Sequence, residues 1–259
     1  MKYKIGIAGV GMVGGALKRY FETKPNYKLF LYDKKGEGSV KELDNADFIY
    51  ICLPTPSNSD GSCDTNIIES IIKELKGNKV IIIKSTIIVG TTDRLQVEYP
   101  QHKFLFNPEF LTEQTADQDM CYPDRQIVGY TKRSFTIAKD ILQQLPLAPF
   151  ERIVPAKEAE ICKYAGNSWF ATKVIFANQM YDICQKVGID YDSVRDMVSA
   201  DKRIGRTHLE IWHKDYRGYG GKCIPKDTKA IIHFADQNNI DLKLLKVVEE
   251  INNQLPKSK

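Results

Sequence analysis

A cysteine in the last quarter of the chain lies in a run of residues suited to covalent chemistry. The run reads Gly218-Tyr219-Gly220-Gly221-Lys222-Cys223-Ile224-Pro225-Lys226-Asp227. Glycines before the thiol leave it uncrowded, so a substrate can approach closely. Lys222, Lys226 and the start of a predicted helix would favour the thiolate form. The segment therefore predicts a nucleophile at Cys223, whereas most cysteines are small buried hydrophobic residues.

Lys163 and Asn167 have the spacing of two cooperating side chains. Four residues apart on a helix, an ammonium and an amide lie side by side on one face. Such a pair can hold a developing oxyanion. A solvated helix face would show the same spacing, so both interpretations stay open for this pair taken alone.

Two acids, Glu109 and Glu113, follow a predicted strand. The sequence predicts that Asn107 caps a helix begun by Pro108, so that the two carboxylates share a face. At the carboxyl end of a strand, where α/β sheets bind their ligands, one carboxylate could activate a water molecule. Alternatively, both acids only complement the helix dipole.

A glycine-rich turn near the amino terminus predicts a dinucleotide site. It has the spacing G-x-G-x-x-G, follows a predicted strand, opens a predicted helix and lies about 20 residues before an acid. The turn lets the backbone approach a pyrophosphate, and the acid accepts hydrogen bonds from a ribose and repels a 2′-phosphate. This favours NAD over NADP, although Lys34 and Lys35 weaken the preference. The predicted contacts here are Gly9, Gly11, Met12, Val13, Gly14, Asp33 and Lys34.

Short apolar runs alternate with amphipathic segments over residues 1–153. Strand–helix alternation predicts an α/β fold whose first domain, 1–153, is an NAD-binding domain with a Rossmann-type, doubly wound parallel sheet. Helices are predicted at Asn66–Leu75 and Ser134–Leu145. The predicted strands are Lys4–Ala8, Lys28–Tyr32, Phe48–Leu53, Val80–Lys84, Phe104–Phe106 and Gln126–Gly129.

A helical pattern replaces this alternation in residues 154–259. Pro155 is predicted as the first residue of a long helix that Gly188 ends. Beyond a glycine-rich loop at Asp201–Cys223, two more helices are predicted within Lys226–Gln254, and a short one precedes the loop at Asp192–Val198. The second domain, 154–259, is therefore predicted to be all-α and to carry the Cys223 loop.

The composition is that of a soluble globular protein, with 42% hydrophobic and 27% charged residues and a net charge of +4. Lysines are scattered, which argues against nucleic-acid binding. The apolar segment Ile5–Leu17 is too short to span a bilayer. The six cysteines lack the spacing of metal ligands, so no metal is expected, and we expect reduced thiols in the cytoplasm.

At these residues the chain resembles the UDP-glucose/GDP-mannose dehydrogenase family over nearly its whole length. The resemblance implies NAD-dependent, four-electron oxidation of the C6 alcohol of a nucleotide sugar, with UDP-glucose the expected substrate, through a thiohemiacetal and a thioester on Cys223. The matching segments are Gly9–Gly14, Pro54–Pro56, Lys84–Thr86, Gly90–Thr92, Asn107–Glu113, Pro123–Arg125, Lys163 with Asn167, Arg203–Gly205 and Gly218–Asp227.

The resemblance also implies roles for individual residues. It gives catalytic roles to Cys223, Lys163, Asn167, Glu113, Asp227 and Glu109. It adds Thr55, Thr86 and Lys226 as cofactor contacts. The implied substrate contacts are Glu109, Phe110, Leu111, Glu113, Lys163, Asn167, Arg203 and Gly220. Arg203 would reach the substrate of a neighbouring subunit, which implies a homodimer built on the long helix.

Family members usually continue with a further, UDP-binding domain, so the chain is expected to be a short form lacking it. Smaller departures are Ile88, Gln179 and the loop Arg206–Arg217. Two alternatives remain open. A β-hydroxyacid-type dehydrogenase would transfer a single hydride and needs no cysteine, and the Cys223 motif argues against it. A non-catalytic paralogue would only bind NAD or a nucleotide sugar.

Overall fold

A computed structural model of the chain describes residues 3–213 and 215–256. The chain forms two compact units, the first comprising 1–56 and 63–163 and the second comprising 57–62 and 164–259. The outermost residues of the two predicted domains, 1–2 and 257–259, lie outside the described residues, as does Lys214 of the predicted substrate loop.

An eight-stranded sheet forms the centre of the first unit, in the order β3-β2-β1-β4-β5-β6-β7-β8. β3 pairs antiparallel with β2, and β7 pairs antiparallel with β6, whereas the other neighbours are parallel. The predicted α/β class is confirmed, but the sheet is mixed rather than wholly parallel. The strands are β1 Tyr3–Ala8, β2 Tyr27–Asp33, β3 Glu37–Gly38, β4 Phe48–Ile51, β5 Val80–Ile83, β6 Lys103–Phe106, β7 Arg125–Tyr130 and β8 Phe150–Pro155.

The central strands are buried on both faces of the sheet. Ile81 and Ile83 of β5 belong to one apolar cluster, and Ile82 between them belongs to another. Tyr50 of β4 lies with Ile82, while its neighbour Ile49 lies with Ile81. Successive side chains of a strand point to opposite faces, so a continuous apolar run is what such a strand requires.

Six α-helices accompany the sheet among the described residues of the first unit. The predicted helix at Ser134–Leu145 begins instead as a single 3₁₀ turn, Phe135–Ile137, that continues into α6. The six are α1 Met12–Glu22, α2 Val40–Leu43, α3 Asn66–Glu74, α4 Thr91–Glu98, α5 Ala116–Cys121 and α6 Ala138–Gln144.

Pro155 ends β8 and does not begin the long helix, so that prediction is wrong. It pairs with Tyr130 at the end of β7. β8 is the last strand of the sheet, and an edge strand tolerates a residue that has no N–H to donate. The helix α7, Ala156–Val187, starts at the next residue.

Close packing and a buried carboxylate hold the start of α7 in the first unit. A side chain at Gly129 of β7 would come within 2.9 Å of Ala156 and Ala159, so glycine is needed for this approach. Glu160 is wholly buried. It accepts hydrogen bonds from the backbone N–H of Gly90 at 2.6 Å and from the N–H and hydroxyl of Thr92 at 2.9 and 2.6 Å. The carboxylate thereby satisfies N–H groups at the start of α4 that have no partner within the helix.

Helices dominate the second unit. It contains the rest of α7 and three further helices, α8 Tyr191–Ser199, α9 Ile224–Gln237 and α10 Lys243–Gln254. Among the described residues of this unit, a small hairpin of β9 Trp212–His213 and β10 Tyr216–Arg217 departs from the predicted all-α composition. Within residues 3–213 and 215–256, none of the helices is both long and apolar enough to cross a membrane.

We predict that Glu160→Gln lowers the free energy of unfolding by about 2 kcal/mol, because the amide nitrogen would face N–H donors that the carboxylate now accepts. Burial raises the pKa of Glu160, against the hydrogen bonds from Thr92 and Gly90, which lower it. Urea unfolding of the purified chain measures the change. Glu158→Gln, at an exposed position of the same helix, is the control. Equal midpoints for the two variants would contradict the capping role.

Candidate active site

The glycine-rich turn before α1 contains two glycines that close packing requires and one glycine that faces open space. Gly9 has a φ of 90°, and a side chain there would come within 2.6 Å of the Cys52 carbonyl oxygen. A side chain at Gly14 would overlap the Gly9 carbonyl oxygen. In contrast, a side chain at Gly11 would meet no atom within 4 Å apart from those of its neighbours along the chain. The backbone at Gly11 is therefore open to a close ligand.

An uncapped helix N-terminus and an ionised acid surround that opening. The N-cap residue of α1 is Gly11, which has no side chain to cap the helix. Met12 and Val13 follow in the first turn. Asp33, at the end of β2, accepts the N–H groups of Val10 and Lys35, each at 2.8 Å. The bonds from Lys35 and then Val10 lower the pKa of Asp33, which keeps it charged.

This geometry fits NAD. Unsatisfied backbone N–H groups at a helix N-terminus are donors for a pyrophosphate. The carboxylate of Asp33 can still accept from ribose hydroxyls, because each of its oxygens has more than one lone pair. Lys34 is exposed beside it. The cofactor contacts predicted at these residues remain predictions at the level of single residues.

The loops after β4 and β5 are tied together by a threonine. The Thr55 hydroxyl donates to the Thr86 carbonyl oxygen at 2.7 Å, and Thr55 is buried. Both residues follow the carboxyl ends of parallel strands. Such ends are where doubly wound sheets bind their ligands, so the two residues lie where cofactor contacts are expected.

Lys163 and Glu109 form a buried ion pair in the first unit. The Lys163 ammonium donates to the Glu109 carboxylate at 2.8 Å and to its carbonyl oxygen at 2.7 Å. The two side chains are 7% and 10% exposed. Burial would raise the pKa of Glu109, but Lys163, by its charge and hydrogen bond, together with the Leu111 N–H and the charge of Lys84, outweighs it, and the pKa is lowered. The Glu109 carboxyl is therefore ionised.

The segment after Glu109 wraps around this pair. The N–H of Leu111 donates to the second carboxylate oxygen of Glu109 at 2.8 Å. The Arg125 guanidinium stacks on the Phe110 ring at 3.8 Å, and the Lys163 ammonium lies 5.7 Å from the centre of that ring. Of the two predicted substrate contacts here, Phe110 thus lies beside the lysine and Leu111 binds the carboxylate of Glu109.

No helix begins at Pro108, so the prediction that Asn107 caps one is wrong. Asn107 is wholly buried, accepts a hydrogen bond from Lys84 at 2.6 Å and donates to the Ile127 carbonyl at 2.8 Å. The amide side chain is thus used to join the ends of β5 and β6 to β7. Residues 108–112 are irregular, and the next helix is α5 at Ala116–Cys121.

Glu109 and Glu113 consequently do not share a helix face. Glu109 is buried against Lys163, whereas Glu113 is exposed. Glu113 instead lines an open cleft of about 400 Å³ together with Met12, the first residue of α1. A predicted water-activating acid and a predicted cofactor contact are thus brought to one cleft of the first unit.

In the second unit, Cys223 is the N-cap residue of α9 and is exposed. Pro225 lies in the first turn of the helix. Negative charge is stabilised at a helix N-terminus, which suits a thiolate. All six cysteines of the chain are thiols.

The glycines before Cys223 are held by a residue that the sequence did not indicate. Asn252 of α10 accepts from the Tyr219 N–H at 2.8 Å and donates to the Tyr219 carbonyl at 3.1 Å. Side chains at Gly218 and Gly220 would overlap Asn252 and Tyr216, respectively. Two residues 33 positions apart have no local spacing signal, so only the folded structure reveals this clamp.

Asn167 lies with Asp227 and not with a lysine of its own helix. Its amide donates to the Asp227 carboxylate at 2.5 Å, and Lys226 donates to the other oxygen at 2.5 Å. Asp227 is 1% exposed. Lys163 and Asn167 do occupy one helix with i, i+4 spacing, but each has a different carboxylate partner.

Arg203 projects from the loop after α8 and is 89% exposed on its side chain. Its guanidinium pairs with Asp201 at 2.6 Å. A role in a neighbouring subunit stays a prediction for this residue.

Family models match both parts of the chain. The NAD binding domain of the UDP-glucose/GDP-mannose dehydrogenase family matches residues 35–145, and the central domain of the same family matches residues 157–254. The first match identifies an NAD-binding domain, which agrees with the cofactor predicted from the turn at Gly9–Gly14.

Individual relatives agree with the family models. The UDP-glucose 6-dehydrogenase of Rickettsia conorii is 35% identical over 224 residues, which are 83% of this chain and 51% of that protein. The solved UDP-glucose dehydrogenase of Pyrobaculum islandicum superposes with a TM-score of 0.84 at 26% identity, covering 98% of this chain and 68% of the other. The 3-hydroxyisobutyrate dehydrogenase of Mycobacterium tuberculosis, at 15% identity and a TM-score of 0.76, covers 98% of this chain and 94% of its own, and shows the fold alone. The chain spans about half the length of the curated relatives it matches.

We predict opposite outcomes for alanine at two glycines of the turn. Gly14→Ala should lose about 3 kcal/mol of stability, because the methyl group overlaps the Gly9 carbonyl and the backbone must shift. Gly11→Ala should keep the stability of the wild type but weaken NAD binding about tenfold or more, since the methyl group enters the space of the pyrophosphate. Thermal unfolding and calorimetric NAD titration measure the two effects. Unchanged NAD affinity in Gly11→Ala would argue against this binding mode.

Proposed function

The chain belongs to the UDP-glucose/GDP-mannose dehydrogenase family, and on that premise we propose that it oxidises the C6 alcohol of a nucleotide sugar to the carboxylate. UDP-glucose is the proposed substrate, in line with the names of the relatives. The observation that carries the proposal is the exposed Cys223 thiol at the N-terminus of α9, behind a glycine loop. Residues 1–153 form the proposed NAD-binding domain and residues 154–259 the helical domain. A reactive thiol must stay reduced, which favours the cytoplasm.

The Lys163 ammonium has a defined part in the first oxidation. Its hydrogen bonds within the described chain are the two to Glu109, so a third N–H is available for the C6 oxygen of the sugar. Glu109 fixes the direction of that donor. Asn167, held by Asp227, supplies a further N–H in this proposal. NAD, when bound, accepts the hydride of each oxidation.

In this proposal the second oxidation proceeds through a covalent intermediate on Cys223. The thiolate attacks the aldehyde carbon, a C–S bond forms and the carbonyl oxygen takes up a proton, which gives a thiohemiacetal. Its oxidation leaves a thioester. Water then adds to the thioester with Glu113 as the base and Asp227 assisting, the C–S bond breaks, and the thiolate is restored. Two hydrides leave each sugar, so two NADH form for each uronate.

An enzyme that carries out a β-hydroxyacid-type oxidation can have this fold, as the likeness to 3-hydroxyisobutyrate dehydrogenase indicates. Such a reaction transfers one hydride and needs no thiol. The exposed Cys223 at a helix N-terminus therefore favours the four-electron reaction.

We predict that a panel of nucleotide sugars, offered with NAD, yields two NADH per uronate and no free aldehyde. Cys223→Ser keeps the size of the side chain but raises the pKa of the nucleophile by several units, so uronate formation should fall by about four powers of ten. NAD affinity should be unchanged in the variant. Stopped-flow absorbance and product analysis measure both.

Cys184→Ser, at a buried thiol within α7, is the matched control and should keep turnover. Near-normal uronate production by Cys223→Ser would reject the thioester mechanism. One NADH with a released aldehyde would indicate a simple alcohol dehydrogenase.

A homodimer built on α7 is the proposed assembly, with Arg203 acting in the site of the neighbouring subunit. The supporting observation is an apolar stripe on α7 in which residues recur every seven positions. Trp169, Phe176 and Ile183 are 60%, 55% and 54% exposed. Exposed apolar side chains at this spacing are typical of a helix that packs on another helix.

Mixing two inactive variants tests the assembly and Arg203 together. If Arg203 acts across the interface, Arg203→Ala and Cys223→Ser subunits should form mixed dimers with one intact site. Random exchange makes half of the dimers mixed and half of their sites intact, so about a quarter of wild-type activity should return. Light scattering during exchange confirms the dimers. No recovery of activity in mixed dimers would place Arg203 in the site of its own subunit.

A further inference from the structure

Lys84 is a buried lysine to which the mechanism above gives no part. It follows β5 and is 3% exposed. Its ammonium donates to the Asn107 side-chain oxygen at 2.6 Å, its one hydrogen bond from that group within the described residues. Burying an ammonium with a single hydrogen bond costs free energy, and an apolar side chain would fill the same space without that cost. Packing alone therefore does not explain why a charged side chain occupies position 84.

The titratable groups whose charges act on Lys84 are Cys52, Glu109 and Lys163, all in the first unit. Burial lowers the pKa of Lys84 to about 8, with Lys163 acting in the same direction and Cys52 and Glu109 opposing. Burial raises the pKa of the Cys52 thiol to about 12, so it is neutral near pH 7. The charged groups are then the Lys84 and Lys163 ammonium groups and the Glu109 carboxylate. This buried array has one positive charge in excess and favours an anion beside it.

The same lysine also fixes the start of the segment that carries Glu109. Asn107 receives the Lys84 ammonium on its oxygen and gives its amide hydrogen to Ile127, so both ends of the amide are held. Glu109 follows two residues later and binds Lys163. A displacement of Asn107 would therefore move the carboxylate that orients Lys163.

We propose that Lys84 is a positioning residue for the first oxidation. It anchors Asn107, and its positive charge favours the oxyanion that forms when the C6 oxygen of the sugar has released its proton to solvent. This inference rests on the proposed function. When Lys84 loses its own proton, the excess charge disappears and the oxyanion is less favoured. For the wild type, kcat/KM for the nucleotide sugar should therefore decline above about pH 8.

Two substitutions separate the charge from the packing. Lys84→Met removes the charge, and it should lower kcat/KM at pH 7 about tenfold and abolish the decline near pH 8. Lys84→Arg keeps a charge at every pH, so the rate at pH 7 should be largely retained and the decline should move above about pH 10. A purely structural role would lower the rate without moving the pH profile.

Lys79→Met is the matched control, because Lys79 precedes the same strand and donates to the carbonyl oxygens of Asp44 and Ala46 at 2.6 and 2.9 Å. It should cost stability and leave the pH profile unchanged. A Lys84→Met variant with the wild-type profile would overturn the role of Lys84 alone. Absence of turnover by the wild type with every nucleotide sugar would overturn the proposed function, and the role of Lys84 in it.

Thermal unfolding gives a readout that needs neither substrate nor NAD. The folded pKa of Lys84 is about 8, below the ordinary value of 10.5, so between these two values the unfolded chain binds more protons. The stability contributed by Lys84 should therefore rise with pH across that window. Lys84→Met should lack this rise and Lys79→Met should keep it. Equal pH dependence in Lys84→Met and the wild type would contradict a buried, titrating Lys84.

Discussion

The ion pair of Glu109 and Lys163 is the constraint on which the candidate site residues of the first unit depend. Taking two charges out of water costs several kcal/mol per ion unless close geometry and further hydrogen bonds compensate. Here the ammonium binds both the carboxylate and the carbonyl of one residue, and the N–H of Leu111 satisfies the second carboxylate oxygen. A pair held at three points has little freedom, so the direction of the remaining lysine N–H is fixed before any ligand arrives. Preorganised donors of this kind stabilise developing charge without reorganisation during the reaction.

That pair needs a rigid start of α7, and the fold provides it by two different means. Gly129 lets the first turn of the helix approach β7 to a distance that any other residue would prevent. Glu160, one turn before Lys163, accepts three hydrogen bonds from the start of α4. Steric fit sets the distance from the sheet, and the buried carboxylate fixes the helix against α4. Together they determine the position of the Lys163 side chain.

Much of the fold was predictable because its signals are local. Continuous apolar runs such as Val80–Ile83 indicate strands buried on both faces, and the spacing of Gly9, Gly11 and Gly14 indicates a phosphate-binding turn. The errors have a common cause in long-range hydrogen bonds. Asn107 has the type and position of a helix cap, but its amide is occupied by Lys84 and Ile127, which lie about 20 residues away on either side. Pro155 resembles a first helical residue, and only the edge position of β8 explains why a strand can end there.

The sequence predicted which residue types form the candidate site better than it predicted which side chains bind one another there. The sequence brought Lys163 and Asn167 together by helical spacing, yet Glu109 orients the first and Asp227 orients the second. Spacing along one helix reports only which side chains share a face, whereas the partner of each polar group is set by which other segment packs there. Here the Lys163 ammonium and the Asn167 amide nitrogen both act as donors, and each has a carboxylate of its own as acceptor. Two donors with separate carboxylates can be tuned separately, because a change at Asp227 alters the amide without touching the ion pair. α7 therefore carries two independently oriented donors, which is a more specific arrangement than the adjacent pair that sequence spacing alone predicts.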